Sequence, residues 1–213
     1  LCVKAYKGMN EVVSLPGIKA HLHKLIPTGA GLGGGSADAA FFINLINQIC
    51  NLDLAEQQRI EIAAKIGSDC AFFIPNKPSF CFGKGDLLIP IALNLAGLNW
   101  VLVYPNIHIS TQEAYANVVP NKPKFNLKLL PKLPISEWKN HVVNDFELSL
   151  FSKYPKLAEI KDTLYACGAS YASMSGSGST IYGFFSEKPN TQPRNHDDHL
   201  DGRSAEMRPG YDP

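Results

Sequence analysis

The chain has 213 residues and a mass of 23.3 kDa, with 45% hydrophobic and 18% charged residues and a formal net charge of +1. That much apolar material excludes a wholly disordered chain and fits one large or two small domains. The balanced charge excludes bulk electrostatic attraction to nucleic acid, and no apolar run is long enough for a membrane-spanning helix. The five cysteines, Cys2, Cys50, Cys70, Cys81 and Cys167, are odd in number and form no CxxC pair. Reduced thiols in the cytoplasm are therefore expected, and no zinc site. Leu1-Cys2-Val3-Lys4 has no signal-peptide pattern and no initiator Met, as expected where the start has been removed or the sequence is a fragment.

Residues 1–14 read as the end of a helix. Ile18 to Ile26 alternate, with Ile18, Ala20 and Leu22 opposite Lys19, His21 and His23, which predicts a half-exposed antiparallel strand ending at Pro27. His21 and His23 lack a third ligand at metal spacing and read as solvated strand residues, as do His196 and His199 in the tail. Ser36 to Cys50 is apolar nearly all round and predicts a buried helix. Asp53-Leu54-Ala55-Glu56 has the pattern of a capping box, with Gly67 as the stop of the helix it opens. Strands are expected around Ser79–Phe82, Leu87–Ile91 and Trp100–Tyr104. Ser110–Glu113 is a second capping box. Pro120, Pro123, Pro131 and Pro134 lie in a Lys-rich surface connection. Asn144-Asp145-Phe146-Glu147 is expected to cap a third helix and Gly168 to stop a fourth. Tyr171–Met174 and Thr180–Phe185 predict a hairpin. From residue 189 the chain loses apolar residues and periodicity and is expected to be disordered or artefactual.

The strongest chemical signal is Pro27-Thr28-Gly29-Ala30-Gly31-Leu32-Gly33-Gly34-Gly35-Ser36, with five glycines in seven residues just before a helix. Glycines admit positive φ and close approach, and a helix N-terminus offers unpaired N–H groups to an anion, with triphosphate the natural guest. A Cβ at Gly34 is expected to fill space that the phosphates need. A flexible hinge is disfavoured because the loop runs straight into an apolar helix. No Lys follows the last glycine, so the loop is not a Walker A motif. Gly29, Gly31 and Gly34 do satisfy GxGxxG, but the preceding alternation and the capping position of Asp53 argue against a dinucleotide fold.

A second signal is Asp69 in Gly67-Ser68-Asp69, before the apolar run Cys70–Ile74. A partly desolvated acid there suits a base for an attacking hydroxyl, although spacing alone favours an ordinary turn or capping Asp. The third is Ser173-Met174-Ser175-Gly176-Ser177-Gly178-Ser179-Thr180, between two strand-like pieces. Alone it reads as a hairpin turn, and paired with the first loop it forms a clamp for phosphate. Thr111 and Tyr115 share a helix face, and periodicity alone places Tyr115 in the core.

These loops, in this order, resemble the GHMP kinase superfamily. Gly31–Ala40, Gly67-Ser68-Asp69 with Phe72-Phe73, Asn144–Glu147 and Ser175–Gly178 resemble in particular the branch acting on cytidine-diphosphate-linked methylerythritol, over about residues 1 to 188. The resemblance implies an α+β, two-lobed fold with the site in the cleft between lobes. An incomplete lobe like ribosomal protein S5 domain 2 (1–97, ATP-binding) would precede a ferredoxin-like lobe (98–188), with 189–213 as a tail. It implies ATP and Mg²⁺, phosphorylation of the 2-hydroxyl of cytidine diphosphate methylerythritol for isoprenoid synthesis, a cytoplasmic enzyme, no nucleic-acid or membrane partner, and no particular oligomeric state. Pro27 and Gly29–Ser36 would bind ATP, Asp69 would be catalytic, and Thr111, Tyr115, Gly176, Ser177 and Gly178 would line the substrate. No residue is implied as a permanent metal ligand. Homoserine- or mevalonate-type kinases are the alternatives within the superfamily, and the Gly-Gly-Gly-Ser stretch and Tyr115 argue against them. Three departures accompany the resemblance. Ala37 stands where the family usually has Ser, Cys70-Ala71 replace Val-Pro, and the family's opening segment, with a Lys and a Tyr-His pair, has no counterpart here. The last makes a catalytically inactive nucleotide-binding fragment the remaining alternative.

Overall fold

Alanines and isoleucines at helical spacing build the first of two units. The computed structural model describes residues 1–118 and 122–189. The first unit comprises Leu1–Thr28, Gly33–Asn94 and Asn126–Lys132, and the second comprises Gly29–Leu32, Leu95–Phe125 and the residues from Leu133 on. Pro120 and the tail beyond Pro189 lie outside the described residues.

The first unit contains helices α1 (Cys2–Asn10), α2 (Gly34–Ile49), α3 (Glu56–Ile66) and α4 (Ser68–Phe72), then the antiparallel hairpin β1 (Ser79–Phe82) and β2 (Leu87–Pro90). Its core is Ala5 and Met9 of α1, Ala39, Ala40, Ile43 and Ile46 of α2, Ile62 and Ala63 of α3, with Cys70 and Ile74. The small residues Ala39 and Ala40 are fully buried and leave room for the neighbouring helices to close on α2.

Three expectations change here. Helix α2 is not buried all round: Phe41, Leu45 and Ile49, spaced by four, are 50%, 52% and 59% exposed. Apolar composition sets what a helix can bury, and the number of neighbours sets what it does bury. Asp53 takes a left-handed φ of 52° and caps nothing. Helix α3 starts instead after Ala55, whose N–H donates to the Gln58 side chain (2.8 Å). Residues 18–26 form no strand. Among the described residues no ladder includes them, and every residue from Lys19 to Ile26 is exposed. Alternation describes two faces, but a strand also needs a neighbour to answer its N–H and C=O groups.

The second unit holds β3 (Asn99–Val103), α5 (Thr111–Ala116), a 3₁₀ turn at Ile135–Asn140, α6 (Glu147–Lys153), α7 (Pro155–Ala166), β4 (Tyr171–Met174) and β5 (Ile181–Phe185). The sheet order is β3-β5-β4, antiparallel throughout, with Val101 opposite Gly183 and Ser173 opposite Tyr182. The expected strands and hairpin are present, and their alternate residues go to two sides. Ala172, Met174, Ile181 and Phe185 join Leu150 of α6 and Leu157 and Leu164 of α7 in one core. Tyr171 and Phe184 face the other way and are covered by Trp138, whose ring centroid lies 5.7 and 6.1 Å from theirs. No helix of the described residues is long and apolar enough to cross a membrane.

The two faces of α2 make a stability test. Ile43→Ala, fully buried, should cost about 2–5 kcal/mol in urea denaturation. Leu45→Ala, half-exposed about half a turn away on the other face, should cost about 0.5 kcal/mol or less. Equal losses would contradict the one-sided burial.

Candidate active site

In the first unit the site is the N-terminus of α2. Gly33 caps the helix at φ 66° with no side-chain hydrogen bond, and the first intrahelical bond runs from Ala37 N–H to Gly33 O (2.9 Å). The N–H groups of Gly34, Gly35 and Ser36 therefore precede the helical ladder, on the positive end of a 16-residue helix. Lys24 adds a cation there. Its Nζ pairs with the Asp38 carboxylate (2.5 Å) and lies 3.6 Å from where a Cβ on Gly34 would stand. The sequence reading missed Lys24, because nothing in its spacing separates it from the other polar residues of an exposed segment. The expectation for Gly34 is corrected: its φ is not positive, and an added Cβ would stand 2.9 Å from Ile26 Cγ2. Glycine at 34 is required by packing against its own chain.

Asp69 lies in the first turn of α4 and is exposed, not partly desolvated as expected. Cys70, in the first unit, links Asp69 electrostatically to Ser36. The Cys70 thiol is pushed up chiefly by burial, Ser36 opposes this by a side-chain hydrogen bond, and the charge of Asp69 adds to the rise. Ser36 and Asp69 thus act on the same buried thiol from two helix starts.

In the second unit two glycine loops meet. Ser175 Oγ donates to Gly31 O (2.8 Å), and Thr180 N–H donates to Ala30 O (3.1 Å). Gly31 sits at φ 77°, and a Cβ there would lie 2.4 Å from Ser175 O and 2.5 Å from Gly178 O. The second loop is itself closed by Ser175 N–H to Thr180 O (2.8 Å) and Gly178 N–H to Ser175 O (2.9 Å). These are the bonds of a hairpin turn, as its spacing alone suggests, and the turn also contacts the first loop. Thr180 Oγ1 is buried with no partner among the described residues. Pro27 and Gly29 are exposed, Leu32 and Ser177 half-buried, and Gly35 and Gly176 exposed.

Residues outside the expected set support this loop. Asn144 Nδ2 donates to both Met174 O and Gly176 O, each at 2.8 Å. Glu147, only 7% exposed, accepts from Ser173 Oγ (3.0 Å) and Met174 N–H (2.8 Å) and pairs with Lys161. Both residues were legible only as a cap for α6.

Helix α5 carries Thr111 and Tyr115. Ser110 Oγ accepts from Glu113 N–H (3.1 Å), as the capping box predicts. The Glu113 carboxylate does not complete the box. It accepts from Lys153 Nζ and Tyr154 OH, both at 2.7 Å, and these bonds hold its pKa below the usual value. Thr111 is exposed. Tyr115 is not core: its side chain is 62% exposed, with its ring edge-on to Phe146 at 4.9 Å. It lines a cavity of about 560 Å³ together with Asn144, Asp145, Phe146, Tyr171 and Tyr182.

Residues 1–77 match the family model of the GHMP kinases N terminal domain, and residues 127–194 match that of the GHMP kinases C terminal domain. Over 186 residues the chain is 50% identical to 4-diphosphocytidyl-2-C-methyl-D-erythritol kinase of Bacteroides fragilis, covering 87% of this chain and 68% of that protein. The chain is a GHMP kinase. Its likeness to the enzyme of the same name from Cytophaga hutchinsonii is 47% over 193 residues, or 90% of this chain and 71% of that one. A crystal structure of 4-(cytidine 5'-diphospho)-2C-methyl-D-erythritol kinase superposes on this GHMP kinase with a TM-score of 0.70 at 28% identity, covering 84% and 68% of the two chains. A homoserine kinase from Cytophaga hutchinsonii shares the fold, with a TM-score of 0.59 at 17% identity over 88% and 66% of the chains.

The glycines of this GHMP kinase divide into two kinds. Gly31→Ala forces a Cβ into two carbonyl oxygens at a left-handed φ and should destabilise the second unit by about 1–3 kcal/mol or more in urea denaturation. Gly35→Ala, exposed and with its nearest foreign atom 3.3 Å away on the Leu1 side chain, should leave the midpoint unchanged within about 0.5 kcal/mol. Equal effects would contradict the close approach at Gly31.

Proposed function

We propose that this GHMP kinase transfers the γ-phosphoryl group of ATP to the 2-hydroxyl of 4-diphosphocytidyl-2-C-methyl-D-erythritol, a step of isoprenoid biosynthesis, in the cytoplasm. The observation that carries the reading is the 50% identity to kinases of that name. The site geometry agrees with it. Residues 1–97 serve as the nucleotide lobe and residues 98–188 as the substrate lobe.

The residues present fit a triphosphate. Pro27 leads into the loop, Gly29, Ala30, Gly31 and Leu32 carry it, and Gly33, Gly34, Gly35 and Ser36 supply the helix terminus with its free N–H groups and the Lys24 cation beside it. Among the described residues no three His, Cys, Asp or Glu side chains gather into a metal cluster. Mg²⁺ would be held through phosphate oxygens, water and one or two carboxylates, and would neutralise charge on the transferred group.

Asp69 orients the substrate hydroxyl and accepts its proton at the carboxylate, and its exposure at the start of α4 leaves it accessible to that hydroxyl. Thr111 and Tyr115 hold the cytidine end. The free face of the Tyr115 ring offers a stacking surface for a base, and its edge contact with Phe146 limits its rotation. Gly176, Ser177 and Gly178 shape the floor beside the phosphates. Phosphoryl transfer needs little covalent help, so positioning and fixed dipoles supply most of the acceleration.

The protein should phosphorylate the cytidylylated methylerythritol and leave homoserine untouched, read by coupled ADP release. Equal or faster turnover of homoserine would sink the assignment. Asp69→Asn should lower kcat by about 10²–10⁴ with little change in KM for ATP. If Asp69 only serves the first turn of α4, the amide should do nearly as well, and near-normal kcat in a folded variant would remove its catalytic role.

A further inference from the structure

The turn Asn144–Glu147 touches both the aromatic cavity and the second glycine loop, and the reaction proposed above uses neither Asn144 nor Glu147. Every polar atom of the half-buried Asn144 amide is engaged. Its Oδ1 accepts from Phe146 N–H (3.0 Å), which ties the amide to the ring that meets Tyr115. Its Nδ2 bridges Met174 O and Gly176 O. Glu147 secures the neighbouring stretch, Ser173 and Met174, and is itself held by Lys161 of α7. The end of β4 and the first glycine of the loop are therefore anchored to α6 and α7.

The constraint continues into the first glycine loop. Among the described residues, the hydrogen bonds that tie Gly29–Leu32 to the rest of their unit are Ser175 Oγ to Gly31 O and Thr180 N–H to Ala30 O, and both come from the second loop. Gly176 also approaches so closely that a Cβ on it would lie 3.1 Å from Gly31 O. Gly29 and Gly31 hold positive φ values of 80° and 77°, and a short glycine segment keeps such a shape only where its surroundings impose it.

We infer that Asn144 is a positioning residue for the phosphate loop: through Gly176 and Ser175 it sets where the Gly29–Leu32 backbone stands when the ATP phosphates bind. The inference rests on the assignment of that loop to ATP. Asn144→Asp keeps the shape of the side chain and turns its double donor into an acceptor facing two carbonyl oxygens. Ser175→Ala removes only the hydroxyl that reaches Gly31.

The test uses the 213-residue chain and two readouts, ATP affinity by titration calorimetry and exchange of the Thr180 amide proton by NMR without nucleotide. Asn144→Asp should weaken ATP binding about tenfold and speed Thr180 exchange about tenfold, the scale of one lost hydrogen bond. Ser175→Ala should weaken ATP binding to a similar degree, and the double variant should be no weaker than the worse single one, because the two act in series. A side chain that merely supports the fold would instead lower the urea midpoint and leave both readouts unchanged. Unchanged ATP affinity and Thr180 exchange in a folded Asn144→Asp, or full additivity with Ser175→Ala, would overturn the inference. Should the carboxylate prevent folding, Asn144→Ser is read the same way, with the same outcomes decisive. Failure of the parent chain to bind ATP while Thr180 exchange still responds to Asn144 would overturn the phosphate assignment instead, so the two readings fail separately.

Discussion

In the second unit, backbone lies against backbone where no side chain fits. Gly31 stands with its carbonyl under Ser175 Oγ and its Cα facing the carbonyl oxygens of Ser175 and Gly178. Contact at that distance needs glycine on the first loop and a rigid second loop to meet it. The rigidity comes from the hairpin. Strands β4 and β5 pair residue by residue from Tyr171–Phe184 to Met174–Ile181, and Ser175 N–H to Thr180 O extends the ladder one step into the loop. The apolar face of that hairpin is then locked onto α6 and α7 by Leu150, Leu157 and Leu164. Burial holds the hairpin in place, and the hairpin sets the loop.

A chain with a net charge of +1 does not attract polyanions by bulk field. It offers local donors, the free N–H groups at the head of α2 and a lysine whose charge is partly answered by Asp38, while its buried and half-buried carboxylates accept from partners of their own. Glu113 and Glu147 show the two uses of such a carboxylate. Glu113 lies at the surface and joins α5 to Lys153 and Tyr154, where solvent keeps the bond weak. Glu147 is nearly buried and must be satisfied by several donors at once, which it is. The same logic appears in the tyrosines under the cavity. Tyr171 and Tyr182 have their phenols pushed above the usual value, chiefly by burial, so both stay neutral donors at any ordinary pH.

Much of the fold was legible residue by residue. The helices from Cys2, from near Ser36 and from Pro155, the hairpin β1–β2, the three strands of the second sheet and the Ser110 cap all follow from local rules of period, cap and turn. Those rules are local because helical hydrogen bonds and turns involve neighbours in the chain. Elsewhere the same rules misled. Alternation at 18–26 had no partner strand, the Asp53 pattern yielded to a left-handed turn, and Tyr115 at a core spacing stands in the open. In each case a contact made by distant residues, or its lack, decided the outcome.

The sequence by itself determined where the backbone is unusual. Five glycines before a helix, an acid after Gly67-Ser68 and a Gly-Ser loop between two strands mark the chain's unusual backbone and its exposed donors, since glycine's freedom and a helix's free N–H groups are properties of residues in order. Tertiary structure decided which of these meet and what holds them. Gly31 and Ser175 are 144 residues apart, and no local rule pairs them. The glycine at 34 answers to Ile26, Lys24 reaches the α2 terminus, and Asn144 serves Gly176 as well as the cap of its own helix. Packing sets these partners, because a hydrogen bond or a contact depends on distance in space, and distance in space is fixed only when the whole core has closed.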